Sequence, residues 1–155
     1  MKIVILGYTG LIGNKILENL IKNKSFNLIC VGRNIKNRPY IHKRIKYFKW
    51  DFITFKKSNL LFLEKTNIII NCVGKTDNDL NNLENINFIF IKKLLNYING
   101  YQSKVRLIHL SSVAVYGGVK NYLGQYKLIS ENSATKINDL YSKSKLKGDS
   151  LIKNT

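Results

Sequence analysis

Residues 1–13 read M-K-I-V-I-L-G-Y-T-G-L-I-G. The apolar run Ile3–Leu6 stops at Gly7, Gly10 and Gly13 follow at three-residue intervals, and Ile12, Ile16, Leu17, Leu20 and Ile21 then recur at helical spacing. The pattern predicts strand, tight turn and helix. Glycine allows positive φ in such a turn, leaves the backbone bare where a pyrophosphate must approach it, and lets the helix pack closely on the strand. The helix N-terminus adds unpaired N–H groups aimed at an anion. Glycines also serve ordinary strand-to-helix turns, so this string alone leaves phosphate binding and plain turn geometry equally open.

Outward from that turn, apolar strand-like runs alternate with helical patterns. Phe26–Val31, Lys46–Trp50, Asn67–Val73 and Val105–Leu110 read as strands two to five, and Asn67–Val73 is apolar on both faces, as a central parallel strand requires. Between them, Ser58–Glu64 reads as a short helix and Leu83–Ile98 as a long one, with Asn99-Gly100 as its C-cap. Five strands alternating with helices predict an α/β fold with a doubly wound parallel sheet in three layers, formed by residues 1–155 as a single domain. A ligand is expected across the carboxyl ends of its strands.

Several groups fall on that edge. The second strand closes with Gly32-Arg33-Asn34, where an acidic residue would suit the ribose hydroxyls of NAD and an arginine the 2′-phosphate of NADP. Arg33 leans the reading toward NADP, with an ordinary solvated arginine as the alternative. Asp51, followed by Phe52, stands just past the third strand and can accept from an adenine amino group, or serve as a helix cap or surface acid. Gly74-Lys75-Thr76 imitates a phosphate-binding P-loop, but the glycine needed five residues earlier is Ile69, in mid-strand.

The fifth strand runs into H-L-S-S-V-A-V-Y-G, and a long loop rich in tyrosine and glycine follows (Tyr116, Gly117, Gly118, Tyr122, Gly124, Tyr126). Beyond it, Asp139 is placed to cap a helix carrying Tyr141 and Lys145, which share one face. A phenol is too weak an acid to work as a base near neutrality unless a neighbouring cation favours the phenolate. Lys145 is so placed, and Ser112 is positioned to orient the reacting oxygen. A tyrosine and a lysine four apart on a basic helix are also commonplace.

The charge of +17, from 26 Lys+Arg against 9 Asp+Glu, raises nucleic-acid binding as a further reading. The lysines are spread along the chain, and no arginine-rich block, zinc spacing or recognition helix accompanies them. Cys30 and Cys72 lie in apolar runs and read as buried reduced thiols, and His109 as a packed core histidine. No metal site is expected. No apolar run approaches the ~20 residues that cross a bilayer, and no cleavable leader is read, so a cytoplasmic location is expected.

Taken in order, G-Y-T-G-L-I-G, S-S-V-A-V-Y-G and Y-S-K-S-K resemble the extended short-chain dehydrogenase/reductases, and within them the NAD-dependent nucleotide-sugar epimerase/dehydratase family. The resemblance implies a Rossmann-like domain. It implies cofactor contacts from Gly7, Thr9, Gly10, Leu11, Ile12, Gly13, Arg33, Asp51, Phe52, Cys72, Val73, Gly74, Tyr141 and Lys145, and catalysis by Ser112, Tyr141 and Lys145. Asn85-Ile86-Asn87 matches the family's Asn-rich start of the fourth helix. Phe88 stands where the family often has glycine, Asn71-Cys72-Val73-Gly74 replaces the usual His-Leu-Ala-Ala type of ending, and Val113 replaces the acid typical of 4,6-dehydratases. Epimerisation or reduction of a nucleotide-linked keto-sugar is therefore expected over dehydration, with NADP or NAD, no membrane, and a homodimer compatible with it. Family members continue past the tyrosine helix into a substrate-binding half, whereas this chain stops at Thr155. The substrate lobe is thus expected to be absent, and a catalytically silent dinucleotide-binding module, shortened or completed by a partner, is the second reading.

Overall fold

The computed structural model describes residues 1–36, 38–55, 60–76, 79–101, 104–117 and 128–153. Among the described residues five parallel strands form one sheet: β1 (Lys2–Leu6), β2 (Asn27–Gly32), β3 (Ile45–Lys49), β4 (Ile68–Asn71) and β5 (Arg106–His109), in the order β3-β2-β1-β4-β5. The order reverses at β1, between β2 and β4, and that switch is where an open α/β sheet leaves a crevice at its carboxyl edge. Register carries the edge residues to one level: Leu6 pairs with Val31 and with Asn71, and Asn71 pairs with His109.

Alternation along the strands divides the core into two layers. On one face Val4, Leu6, Ile29, Val31 and Ile69 pack with Phe90, Ile91, Leu94 and Leu95 and with an aromatic group of Trp50, Phe52, Phe55 and Phe62. On the other, Ile3, Ile5, Leu28, Cys30 and Ile70 pack against Leu17 of helix α1 (Leu11–Leu20) and against Tyr8. Fully burying each such large apolar side chain contributes on the order of 1.5–3 kcal/mol, which is why the two layers fix the helices on opposite sides.

All five strands lie where the hydrophobic runs predict them, with ends shifted by one or two residues. The long helix differs more. It begins at Asp79, whose carboxylate accepts the N–H groups of Asn81 and Asn82, and runs as α2 (Leu80–Glu84), a π-helical turn (Asn85–Ile89) and α3 (Phe90–Tyr101). The expected start at Leu83 is corrected by this cap, and the expected C-cap at Asn99-Gly100 by the helix continuing through both residues, with Gly100 outside the positive-φ glycines. Of the short helix expected over 58–64, residues Leu61–Leu63 form a single 3₁₀ turn, and Ser58 lies outside the described residues. Gly118, Tyr122, Gly124 and Tyr126 of the long loop also lie outside them. No described helix is long and apolar enough to cross a membrane.

Helix α4 (Leu140–Lys153) closes the described chain. Asp139 caps it as expected, its carboxylate accepting the Ser142 N–H at 2.6 Å, while the Ser142 hydroxyl accepts the Asp139 N–H at 3.2 Å. Its buried face is small and polar: Ser142, Ser144, Lys145 and Gly148. That composition permits a close approach to the π-turn, and a Cβ on Gly148 would collide with the Asn87 carbonyl oxygen.

Candidate functional site

Gly7 leaves β1 at φ +79, a conformation that favours glycine, with the backbone of Cys72 and Val73 3.1 Å from where its Cβ would stand. Gly10 turns the chain back through its N–H to the Gly7 carbonyl and is the N-cap of α1 without a side-chain acceptor. At Gly13 a Cβ would collide with the Gly7 carbonyl. The first intrahelical bond of α1 runs from Asn14 to Gly10, so the amides of Leu11, Ile12 and Gly13 stand in the first turn without intrahelical acceptors. A bare turn and a helix end carrying partial positive charge form a cradle that suits a phosphate.

Beside the cradle is a cleft of about 140 Å³ lined by Gly7, Thr9, Gly10, Arg33, Phe52, Cys72, Val73, Gly74, Lys75 and Ile86. Eight of the residues singled out from the sequence thus meet at the topological switch, drawn from the ends of β1, β2, β3 and β4. Lys75 and Ile86 are additions from the structure. Arg33 and Lys75 place cationic side chains on a lining that anionic groups favour. Asp51 lies outside this lining; it is exposed, and its carboxylate accepts the Ile53 N–H at 3.0 Å. Leu11 and Ile12 point to solvent, 91% and 54% exposed, so their backbone and not their side chains would contribute here.

Cys30 is buried as expected, whereas Cys72 is only half-buried. Burial pushes the Cys30 thiol up to about 12 and that of Cys72 to about 11, which removes both as nucleophiles near neutrality.

The Ser-Tyr-Lys residues stand on the next part of the same edge, outside the cleft lining. Ser112 is half-buried and caps the 3₁₀ turn Val113–Tyr116 by accepting the Ala114 N–H at 3.2 Å. Tyr141, half-buried, is one turn before Lys145 on α4. Lys145 is only 3% exposed, and its ammonium donates to the Leu110 carbonyl at 2.6 Å. Burial pulls its amine below the ordinary lysine range, and the Asp149 carboxylate acts against that shift.

Two buried amides tie the cleft to α4, and sequence reasoning found neither role. Asn87 in the π-turn accepts the Lys75 N–H at 3.0 Å and donates to the Lys75 carbonyl and the Ser144 hydroxyl, both at 2.9 Å. Asn71, wholly buried at the end of β4, accepts the Val73 N–H at 3.0 Å and places its amide nitrogen 2.9 Å from His109 Nδ1. The His109 side chain is buried, 4% exposed, and it has polar neighbours in Asn71 and Lys145. Among the described residues no group of three or more His, Cys, Asp or Glu side chains could hold a metal ion.

Residues 3–155 match the model of the NAD dependent epimerase/dehydratase family. Among solved structures, the chain is similar to a UDP-glucuronic acid 4-epimerase from Bacillus cereus in complex with NAD, at 21% identity and a TM-score of 0.81, over 99% of this chain and 52% of that one. It is also similar to a dTDP-glucose 4,6-dehydratase from Bacillus anthracis in complex with NAD, at 20% identity and a TM-score of 0.78, over 97% of this chain and 49% of that one. A UDP-galactose 4-epimerase matches at 19% identity and a TM-score of 0.74, over 97% and 50% of the respective chains. The chain therefore spans about half the length of these relatives, and at such identities the likeness shows the shared fold. No protein of curated function matches the sequence.

Proposed function

From the premise that the chain belongs to the NAD dependent epimerase/dehydratase family, we propose that it binds a nicotinamide dinucleotide at the glycine cradle and acts in redox chemistry on a nucleotide-linked sugar. The observation that carries the reading is the convergence of Gly7, Thr9, Gly10, Arg33, Val73 and Gly74 on one cleft at the topological switch, with Tyr141 and Lys145 on the adjoining helix. The residues fit the cofactor on steric grounds: side chains at Gly7 and Gly13 would meet backbone atoms, and the first-turn amides of α1 have no intrahelical acceptors. When bound, the nicotinamide would accept a hydride and return it.

The chain's own residues then have separate tasks. The cradle amides and Arg33 hold phosphate, and Arg33 at the end of β2 supports NADP over NAD. Ser112 orients the reacting oxygen of the sugar through a hydrogen bond. Tyr141 accepts the proton of the sugar hydroxyl, and the charge of Lys145 favours the phenolate form that does so. A second reading is that this chain binds dinucleotide without turnover, since Ser112, Tyr141 and Lys145 lie outside the lining of the cleft.

The test is a pair of measurements on wild type and Tyr141→Phe: fluorescence titration with NADPH and NADH, and hydride transfer with UDP- and dTDP-linked sugars. The proposal expects binding in both proteins, tighter for NADPH, and transfer in wild type alone. Binding with no transfer in wild type selects the dinucleotide-binding module, and absence of binding removes both readings.

A further inference from the structure

Behind Lys145, on the side of α4 that meets β5, lies a cluster that the proposed reaction does not use. Asp149 follows Lys145 by one helical turn, and His109 faces both from the end of β5. His109 Nε2 is 3.3 Å from the Lys145 nitrogen and 3.4 Å from Asp149 Oδ1. The second carboxylate oxygen, Oδ2, accepts a hydrogen bond from the Ser111 hydroxyl. Asp149 is 13% exposed in its side chain, and Oδ1 is buried with no hydrogen-bond partner among the described residues.

The order of these groups excludes one familiar use of Ser, His and Asp. The carboxylate stands between the serine and the imidazole, so His109 has no hydrogen bond through which to activate Ser111 as a nucleophile. The ring's orientation points elsewhere. The Val73 N–H fixes the Asn71 amide with its oxygen toward Val73, and its NH₂ therefore faces His109 Nδ1. A neutral ring accepting at Nδ1 carries its proton on Nε2. Of the two neighbours of Nε2, only Asp149 Oδ1 can accept from that N–H, and a protonated Nε2 cannot also accept from the lysine. What holds the ammonium is then the Leu110 carbonyl and the field of the carboxylate beyond the ring.

We propose that Asp149 and His109 are positioning residues for Lys145, the carboxylate serving as counter-charge to its buried ammonium and the imidazole, locked through Asn71 to the backbone of the nucleotide cleft, holding that carboxylate in place. The proposal rests on the reading of Lys145 as the cation beside Tyr141. The titratable and charged groups that act on the ammonium are His109 from β5 and Asp149 one turn on, with Tyr141 one turn back on the same helix; the packed π-turn contributes the neutral Asn87, bonded to Ser144. Burial works against ionisation of Asp149, yet its contacts with His109 and Ser111 and the charge of Lys145 hold its carboxyl below the usual range. The acid is therefore charged wherever Lys145 needs a partner. A cleft of about 240 Å³ is lined in part by His109, Ser111 and Asp149, and Lys145 is not part of its lining.

NMR titration of the Lys145 side-chain amine in the full chain, assigned by the signal lost in Lys145→Met, reads the counter-charge directly. In Asp149→Asn, which keeps the shape and removes the charge, the acid constant of the amine is expected to rise roughly tenfold, and Asp149→Glu to restore most of the difference. An unchanged titration in Asp149→Asn overturns the proposal. A second measurement needs no variant: with only two histidines in the chain, the imidazole ¹⁵N shifts of His109 are resolved against His42. A neutral His109 protonated on Nε2 is expected, and protonation on Nδ1 overturns the locked geometry. Titration of the same samples with NADH and NADPH separates the two levels of argument. Absence of nucleotide binding defeats the functional reading, while the amine titration still decides the pairing of Lys145 with Asp149.

Discussion

The carbonyl of Gly7 occupies the space that a side chain at Gly13 would need. Strand and helix meet there through backbone alone, and the three glycines are consequently unequal. At Gly10 a Cβ would find the same carbonyl at 3.4 Å, an ordinary contact, and the residue has φ −78. Gly13→Ala is expected to cost roughly 1–3 kcal/mol through forced displacement of packed backbone. Gly10→Ala is expected to stay within about 1 kcal/mol of wild type, since no packed atom or positive φ opposes it. Urea unfolding of the two variants measures this directly, and equal damage at both positions would contradict the geometry of the turn.

Asn87 joins three pieces of chain distant in sequence: the backbone of Lys75 after β4, its own π-turn, and Ser144 on α4. Asn87→Leu removes the hydrogen bonds to the Lys75 backbone and to the Ser144 hydroxyl, which keeps its own bond to the Tyr141 carbonyl; each group left unsatisfied costs about 1–3 kcal/mol. The expected outcome is a loss of roughly 2–4 kcal/mol in urea unfolding, summed over those groups. Faster amide exchange at Lys75 should accompany it. Exchange at Lys75 unchanged in a destabilised variant would show that the amide does not hold that loop.

The contrast between these two sites shows what could be read from residue order. The glycine turn, the apolar strands and the Asp139 cap are local: a few neighbouring residues carry the whole signal, through period, φ requirement or hydrogen-bonding reach. The Asp79 cap is equally local, but it stands four residues before Leu83, where the apolar pattern predicts the helix to start. The amide clamps are different. Asn87 and Ser144 are 57 residues apart and Asn71 and His109 are 38 apart, and an asparagine in a strand or helix looks the same whether solvated or buried. Only register brings Asn71 level with His109. The acid at Lys145+4 was available as a same-face signal, yet its charge has meaning only once β5 supplies the ring beside it.

The Asp139 cap carries a pH dependence of definite sign. Hydrogen bonds from Ser142 hold its carboxyl below the ordinary value, so the contribution is fully present above the unfolded-state value and is lost as pH falls through the folded one. Asp139→Ala is expected to lower Tm at neutral pH. The gap between variant and wild type should close progressively below about pH 4, as the carboxylate of the wild type is protonated first in the unfolded and then in the folded state. Thermal melts across pH 2.5–7 check the convergence; a gap that persists undiminished to the lowest pH would mean that the cap acts through something other than its charge.

The thiols report on both the core and the cleft. A thiol pushed up to about 12, as at Cys30, or to about 11, as at Cys72, holds almost no thiolate at pH 8, whereas an unperturbed cysteine near ~8.5 is roughly a quarter ionised. Both should therefore resist a disulfide reagent in the native protein and react fully in urea. The two are not buried alike. Cys30 lies within the sheet at 0% exposure, while Cys72 is partly exposed and lines the nucleotide cleft. Cys72 is thus expected to react first in the folded protein, and added NADPH is expected to slow it further by covering the cleft while leaving the Cys30 rate tied to global unfolding. Peptide mapping of the labelled protein with and without nucleotide assigns each rate. Protection of Cys30 instead of Cys72 would place the nucleotide away from the ends of β1 and β4.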